Sequence, residues 1–176
     1  MQIWLDQVRE EPFNWDETQS VRPETLDRPE LLALSPIHWR GQVVFADPGY
    51  FLRARLSYEQ TLSCNRCLKP IVEPVEAEVE LLVLVERHPE SGGEHALRER
   101  DLGTLFVEDE ILETDPILIE QLQLNVSMKP LCGAECKGLC PECGADLNEG
   151  ACSCGETTTD PRWAALAALK SRFEEK

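Results

Sequence analysis

The sequence lacks a long hydrophobic run. Leu81 to Val85 is a run of strand length, whereas a helix that crosses a bilayer needs about 20 predominantly apolar residues. The start, Met1 to Arg9, mixes polar and apolar residues and shows no basic flank followed by an apolar core, so no secretory signal is predicted. We therefore expect a cytoplasmic protein without a membrane partner, in a compartment where thiols stay reduced.

The sequence is also poor in basic residues. Lys and Arg number 17 against 33 Asp and Glu, which gives a formal net charge of −16. The acidity is uneven, because residues 68–120 hold fifteen acidic and only four basic residues. Proteins that grip nucleic acid usually present a basic patch. An acidic surface of this kind favours a basic partner and excludes a broad electrostatic grip on phosphates.

Signals of catalysis are scarce. The three histidines, His38, His88 and His95, stand far apart and have no metal-ligand spacing to one another or to a cysteine. No nucleophile elbow, phosphate-binding glycine loop or dinucleotide fingerprint is present. The sequence therefore predicts no enzyme and no small-molecule substrate.

Alternating apolar residues predict antiparallel strands in the middle of the chain. Gln42 to Ala46 is one predicted strand, Asp47-Pro48-Gly49 a turn, and Phe51 to Leu62 the returning strand. A third strand ends at Val85, with valines and leucines on one face and glutamates on the other. Thr104 to Val107 is predicted as a further short strand. The first three strands form a predicted antiparallel meander with one face exposed to water.

The remaining segments read as loops and two helices. Residues 1–38, apart from a possible first strand at Ile3 to Leu5, hold four prolines among acids and predict loops and turns. Residues 87–103 predict a loop. Asp115-Pro116 predicts a helix with Asp as N-cap, running to about Val126. Asp160-Pro161 repeats the signal and predicts a C-terminal helix.

The predicted fold class is α+β, an antiparallel meander or partly closed sheet with two helices and a C-terminal zinc-ribbon-like segment. We predict two domains. Residues 1–130 form a β-rich domain with one helix, and residues 131–176 form a cysteine-rich zinc segment with the C-terminal helix packed on it.

Eight cysteines in a reducing compartment predict a metal site rather than disulfides. Two Cys-x2-Cys pairs provide the strongest signal, because so short a loop points both sulfurs to one centre. The candidate ligands are Cys64, Cys67, Cys132, Cys136, Cys140, Cys143, Cys152 and Cys154. The predicted cofactor is Zn²⁺, one or two ions in all-cysteine sites.

The spacing favours two four-thiolate sites. The compact C-terminal set is Cys140, Cys143, Cys152 and Cys154, which leaves Cys64, Cys67, Cys132 and Cys136 as the second set. A single zinc with spare thiols is the alternative. A metal-transfer or redox thiol protein is a further alternative, although no βαβ pattern surrounds either pair.

An iron–sulfur radical enzyme is the least favoured reading. Cys136, Cys140 and Cys143 have the spacing of the cluster motif in enzymes that use S-adenosylmethionine. The chain is too short for the parallel barrel of those enzymes, and five cysteines would be left unexplained.

The motifs together resemble those of the bacterial YceD-type large ribosomal RNA subunit accumulation proteins. They are Cys64-Asn65-Arg66-Cys67 with its flanks, Gly138-Leu139-Cys140-Pro141-Glu142-Cys143-Gly144, Cys152-Ser153-Cys154 and Asp160-Pro161-Arg162-Trp163. The resemblance implies a role in accumulation of large-subunit (23S) rRNA, in ribosome biogenesis, and an associated ribosomal protein. It implies no catalytic residues.

Two partners are compatible with these observations. The acidic region between Glu73 and Glu120 suits a basic ribosomal protein or assembly factor of the large subunit. Direct binding of 23S rRNA is the alternative, and would depend on Arg66, Lys69, Lys137 and Arg162. Arg53 and Arg55 could add a basic stripe, or could pair across strands with Glu76, Glu78 and Glu80.

Overall fold

The computed structural model describes residues 1–85 and 103–154. The chain divides into two compact units, residues 1–132 and 133–176. The predicted C-terminal helix, and all but the last residue of the predicted loop at 87–103, lie outside the described residues. The assignment of domains with a boundary at residue 130 stays a prediction.

Strands dominate the first unit. It contains β1 (Gln2–Trp4), α1 (Leu5–Val8), β2 (Phe13–Gln19), a 3-10 turn (Pro23–Leu26), β3 (Leu31–Leu34), β4 (Ile37–Ala46), β5 (Gly49–Ser63), β6 (Pro70–Val85), β7 (Thr104–Val107), β8 (Ile111–Glu113) and α2 (Thr114–Asn125). The predicted α+β class with a largely antiparallel sheet is confirmed.

A six-stranded sheet runs in the order β2-β4-β5-β6-β7, and β3 pairs with β5 beyond the end of β4. The long hairpin of β5 and β6 is its centre, with Tyr50 opposite Val83 and Ser63 opposite Pro70. All these pairs are antiparallel except β6 with β7, which is parallel. The predicted antiparallel meander of the three central strands is therefore confirmed, and the parallel strand β7 at the edge makes the sheet mixed.

One face of this sheet carries the core. Residues 52, 54, 56 and 58 of β5 are buried, as the alternation predicted. They meet buried residues of β4, because Trp39 lies opposite Leu56 and Val43 opposite Leu52. Burial of this continuous apolar face is the main force that holds the sheet in register.

Trp15 crosses this face on the neighbouring strand. It lies opposite Gly41 in the β2–β4 pair, and its ring centroid is 5.6 Å from that of Trp39. A Cβ atom at Gly41 would lie 2.4 Å from the Trp15 ring. Glycine at position 41 therefore makes room for the indole on the sheet surface.

The opposite face is charged and exposed. Arg53 Nε donates to Glu80 at 2.7 Å, and Arg55 forms an ion pair with Glu78. These arginines are cross-strand partners of acids, which is the plainer of the two sequence readings, and they form no separate basic stripe. Such exposed pairs contribute little stability, about 0.2–1 kcal/mol each.

The N-terminal 38 residues are more regular than predicted. They contain three strands, and the prolines delimit these elements instead of abolishing them. Pro12 precedes β2, Pro23 opens the 3-10 turn, Pro29 precedes β3 and Pro36 separates β3 from β4. Each proline thus stands where no strand hydrogen bond is required of it.

The strands of the central hairpins are also longer than predicted. β4 begins at Ile37, five residues earlier than expected, because Ile37 and Trp39 are buried in the core. β6 begins at Pro70 and contains Pro74. Strand β7 pairs only with the far end of β6, so an absent N–H at these prolines faces no strand partner.

Helix α2 packs on the core through Leu118 and Leu122, and Val126 just after it is also buried. It begins at Thr114 with Glu113 at the N-cap position, so the prediction of Asp115 as N-cap is wrong by two residues. The Thr114 amide donates to the Met1 carbonyl oxygen at 3.0 Å, so that amide needs no side-chain cap. Asp115 instead forms an ion pair with the Met1 amino group. Strand β8, which leads into the helix, pairs with β1 in a separate two-stranded sheet.

Among the described residues, no helix has both the length and the apolar character that crossing a bilayer requires.

Candidate metal centre

The first Cys-x2-Cys pair forms the turn between β5 and β6. The Leu68 amide donates to the Cys64 carbonyl oxygen at 2.9 Å, and the Cys64 amide donates to the Lys69 carbonyl oxygen at 2.9 Å. Leu68 has φ 61°, in the left-handed region. This conformation reverses the chain so that the sulfurs of Cys64 and Cys67 turn towards one point.

The chain returns to this turn after α2. The Asn65 amide donates to the Pro130 carbonyl oxygen at 2.9 Å, and the Cys132 amide donates to Cys64 Sγ at 3.4 Å. The Sγ atoms of Cys67 and Cys132 are 3.5 Å apart. Within the first unit, the sulfurs of Cys64, Cys67 and Cys132 all lie within 4.8 Å of one another.

The second pair repeats the same turn. The Gly144 amide donates to the Cys140 carbonyl oxygen at 2.9 Å, and the Cys140 amide donates to the Ala145 carbonyl oxygen at 2.8 Å. The residue in the left-handed region is here Gly144, with φ 73°. Position for position, Leu68 corresponds to Gly144. The same backbone conformation therefore occurs at both cysteine pairs. Gly144 adopts the left-handed φ at the second pair, whereas at the first pair it is adopted by Leu68, a residue type that disfavours it.

Four sulfurs meet in the second unit, those of Cys140, Cys143, Cys152 and Cys154, all within 4.8 Å of one another. An antiparallel bridge between Leu139 and Asp146 closes the loop around the turn. Cys136 is not a member of this group. The triad spacing of radical enzymes is thus not reproduced by the fold, because Cys140 and Cys143 are grouped with later cysteines.

Asn148 is a candidate positioning residue that the sequence reasoning missed. Its Oδ1 accepts from the Lys137 amide at 2.8 Å, and its Nδ2 lies 3.5 Å from Cys136 Sγ. Asp146 Oδ1 in turn accepts from the Asn148 amide at 2.8 Å. Hydrogen bonds of this kind orient metal-binding side chains and stabilise their ionised form. The signal available in the sequence was an Asp-x-Asn turn immediately after a Cys-x2-Cys pair.

Backbone amides around the first turn stabilise a thiolate. They lower the pKa of Cys64 to about 6, chiefly through the amide of Cys67, and burial of the sulfur opposes this effect. The amides of Cys143 and Glu142 lower the pKa of Cys140 to about 7. Hydrogen bonding with Cys143 is the largest of the causes that raise the pKa of Cys154 to about 12. Crowded thiols of this kind ionise together only when a cation offsets the repulsion.

The donor sets fit a soft or borderline metal ion. Tetrahedral Zn²⁺ with Zn–S bonds near 2.3 Å places its sulfurs about 3.8 Å apart, close to the 3.5 Å between Cys67 Sγ and Cys132 Sγ in this structure. Two cysteine-rich groups of this chain could therefore hold metal ions. Among the histidines considered from the sequence, His38 is described by the structure and does not join them. His38 lies on the sheet and its Nε2 is 2.6 Å from Asp16 Oδ1.

The basic residues named for RNA binding are placed only in part. Arg66 and Lys69 are exposed on the first turn, and Lys137 is exposed in the second unit. Arg162 lies outside the described residues, as do His88 and His95. The structure thus leaves both partner classes open to experiment.

The fold and the sulfur groups define a class: a β-rich protein with paired cysteine turns of the metal-binding type. Comparison with known families goes further. The model of a family described as large ribosomal RNA subunit accumulation protein YceD matches residues 52–170. The chain belongs to this family, as its motifs indicated. The matched range runs from β5 through both cysteine turns.

Two of the relatives are uncharacterized bacterial proteins. The chain is 26% identical over 172 residues to the uncharacterized protein YlbN of Bacillus subtilis, covering 97% of this chain and 95% of that one. It is 31% identical over 106 residues to an uncharacterized protein of Mycobacterium tuberculosis, covering 60% of this chain and 48% of the relative. The chain therefore spans about half the length of the mycobacterial relatives it matches.

A plant relative carries a descriptive name. The chain is 26% identical over 137 residues to the large ribosomal RNA subunit accumulation protein YCED homolog 1, chloroplastic, of Arabidopsis thaliana, covering 66% of this chain and 43% of that one. No solved structure matches the chain.

Proposed function

We propose that this protein is a non-catalytic zinc-binding factor that supports accumulation of the large-subunit (23S) rRNA in the cytoplasm during ribosome biogenesis. The family match over residues 52–170 carries this proposal, and the name of the plant relative supports it. The sulfur groups supply its physical basis, because groups of four cysteines could each be fixed by a bound metal ion.

The proposed metal ligands are all eight cysteines. Cys140, Cys143, Cys152 and Cys154 hold one zinc ion. Cys64, Cys67 and Cys132 hold the other, with Cys136 as the fourth ligand. Only three residues separate Cys136 from Cys132, so their Cα atoms cannot be more than about 14 Å apart. When bound, zinc would cross-link distant parts of the chain without redox chemistry.

The donor sets support a structural role. A zinc ion with four thiolate ligands has no open position for water or substrate, which is the arrangement of structural sites. Metal transfer or thiol redox chemistry would instead need exchangeable metal and reactive sulfurs. The two readings differ in how fast the metal exchanges with a chelator.

A basic ribosomal protein or assembly factor is the proposed partner. With a net charge of −16, the protein would be repelled by the phosphates of bare rRNA. Arg53 and Arg55 could have offset this repulsion, but they form ion pairs with Glu80 and Glu78. Direct rRNA binding would appear as an affinity for 23S fragments that falls steeply as the salt concentration rises. The proposal of a basic protein partner instead predicts little binding to these fragments at any salt concentration.

The first experiment is elemental analysis of protein purified without chelator, with an absorption spectrum. We expect about two zinc ions per chain, one for each set of four thiolates, and no visible colour. The double variant Cys140→Ser/Cys143→Ser should retain one ion. Iron with broad visible absorption would refute the zinc assignment and favour the cluster enzyme.

The second experiment tests function in cells that lack the gene. Complementation by the wild-type chain should restore the ratio of 23S to 16S rRNA. Complementation by Cys140→Ser/Cys143→Ser should fail, while Ser153→Ala, an exposed change between Cys152 and Cys154 that keeps every cysteine, should succeed. An unchanged rRNA ratio after deletion of the gene would contradict the proposed function.

A further inference from the structure

A groove of about 530 Å³ opens on the first unit, and no cysteine is among its described lining residues. Strand β7, strand β8 with the turn before it, and the first turns of α2 form its walls. We call this the acidic groove.

The floor of the acidic groove is apolar. Leu112 and Ile117 are buried and belong to the core, so the floor rests on a fixed base. Leu105, Val107 and Ile111 are only partly buried. These side chains leave apolar surface open to solvent at the bottom of a concave site, the arrangement in which a partner's aliphatic side chain gains most by burial.

The rim of the acidic groove is negative. Glu108, Asp109, Glu113 and Glu120 line it, and among the described residues no Lys or Arg does. Glu113 accepts a hydrogen bond from Gln2 Nε2 at 2.9 Å. Within the described ranges 1–85 and 103–154, no ion pair reaches the other three carboxylates. The segment 103–120 as a whole contains six acidic residues and no basic one.

These features point to one kind of occupant. We infer that the acidic groove binds a polypeptide segment in which aliphatic side chains are flanked by lysines and arginines. The aliphatic side chains would cover Leu105, Val107 and Ile111, while the cations would meet the unpaired carboxylates of the rim. This inference deepens the proposed function, on which it rests for the partner's basic character.

Charge decides against the other occupants of such a groove. An RNA strand would bring phosphates to a rim of carboxylates. A second copy of this chain would bring a net charge of −16, and like charges placed together at an interface are costly. A basic peptide, in contrast, is attracted from a distance and is then held by the apolar floor.

The test uses the full chain and two fluorescein-labelled peptides of equal charge. The probe is Gly-Lys-Lys-Leu-Ile-Lys-Arg-Gly, and the control peptide has serines in place of Leu and Ile. Fluorescence anisotropy should show tighter binding of the probe than of the control. Raising the salt concentration should weaken binding of the probe without abolishing the difference.

Three variants locate the binding site. Glu108→Gln/Asp109→Asn should weaken probe binding about fivefold, as expected for two lost surface charge pairs. Val107→Thr, which keeps the side-chain shape and replaces a methyl group by a hydroxyl, should weaken it about threefold. Glu24→Gln/Glu59→Gln removes the same charge at exposed positions outside the groove and should bind the probe like the wild type. Circular dichroism and metal content should be unchanged in all three.

The outcomes separate this inference from the proposed function. Equal binding of both peptides, or equal weakening by the groove and control charge variants, would overturn the acidic groove as a site and leave the rRNA role untouched. An unchanged rRNA ratio in cells without the gene would overturn the rRNA role, while selective binding of the probe would still support the groove.

Discussion

Replacing Leu68 by glycine should stabilise the protein, although the change removes a large side chain. Leu68 is 63% exposed, so little buried surface is lost. Its left-handed φ of 61° costs an L-residue about 1–2 kcal/mol. Glycine removes that cost, but it lowers the free energy of unfolding by about 0.5–1 kcal/mol because its unfolded chain has more conformational freedom. The expected net gain is about 0.5–1 kcal/mol, because these two terms oppose each other.

A matched variant controls for the chemical change. Leu124→Gly makes the same substitution at a leucine that is 69% exposed but helical, and should cost about 1 kcal/mol. Thermal unfolding in excess zinc should therefore raise the Tm of Leu68→Gly by about 1–4 °C and lower that of Leu124→Gly by about 2–4 °C. A fall in both Tm values would refute the strain assigned to the first cysteine turn.

Three further changes test the core and the metal ligands. Gly41→Ala should cost about 1–3 kcal/mol and alter tryptophan fluorescence, since the new methyl group displaces Trp15; Gly150→Ala, with open space at its Cβ, should be neutral. Asn148→Leu should weaken metal retention about tenfold in a chromophoric chelator competition, because Cys136 loses its hydrogen bond; unchanged retention would show that Asn148 does not position the ligand. Lowering the pH from about 7.5 to about 5 should release metal as thiolates protonate, and retention at the lower pH would contradict thiolate ligation.

The central sheet was predictable from the sequence because burial on one face imposes a strict period of two. Leu52 to Tyr58 alternate without exception, and the structure buries each predicted residue. The N-terminal strands were missed for a related reason. β2 buries only Trp15, so its alternation is weak and the prolines around it dominate the pattern.

Long-range pairing set the other limits of the sequence reasoning. No local pattern reveals that β7 lies parallel to β6, since direction is decided by the connection between them. The start of α2 is likewise fixed by the Met1 carbonyl, more than a hundred residues away in sequence. The cysteine turns, in contrast, are local structures whose spacing alone brings two sulfurs together, so their grouping could be anticipated.

The pairing of β1 with β8 has a consequence for the order in which the chain folds. The hairpins β4–β5 and β5–β6 join neighbouring segments and can form as soon as residue 85 has been synthesised. Ile3 has its strand partner at Leu112, more than a hundred residues later in the sequence, and must wait for it. A strand synthesised before the central hairpins thus docks after they can form, and its apolar side chain stays uncovered until residue 112 has been made.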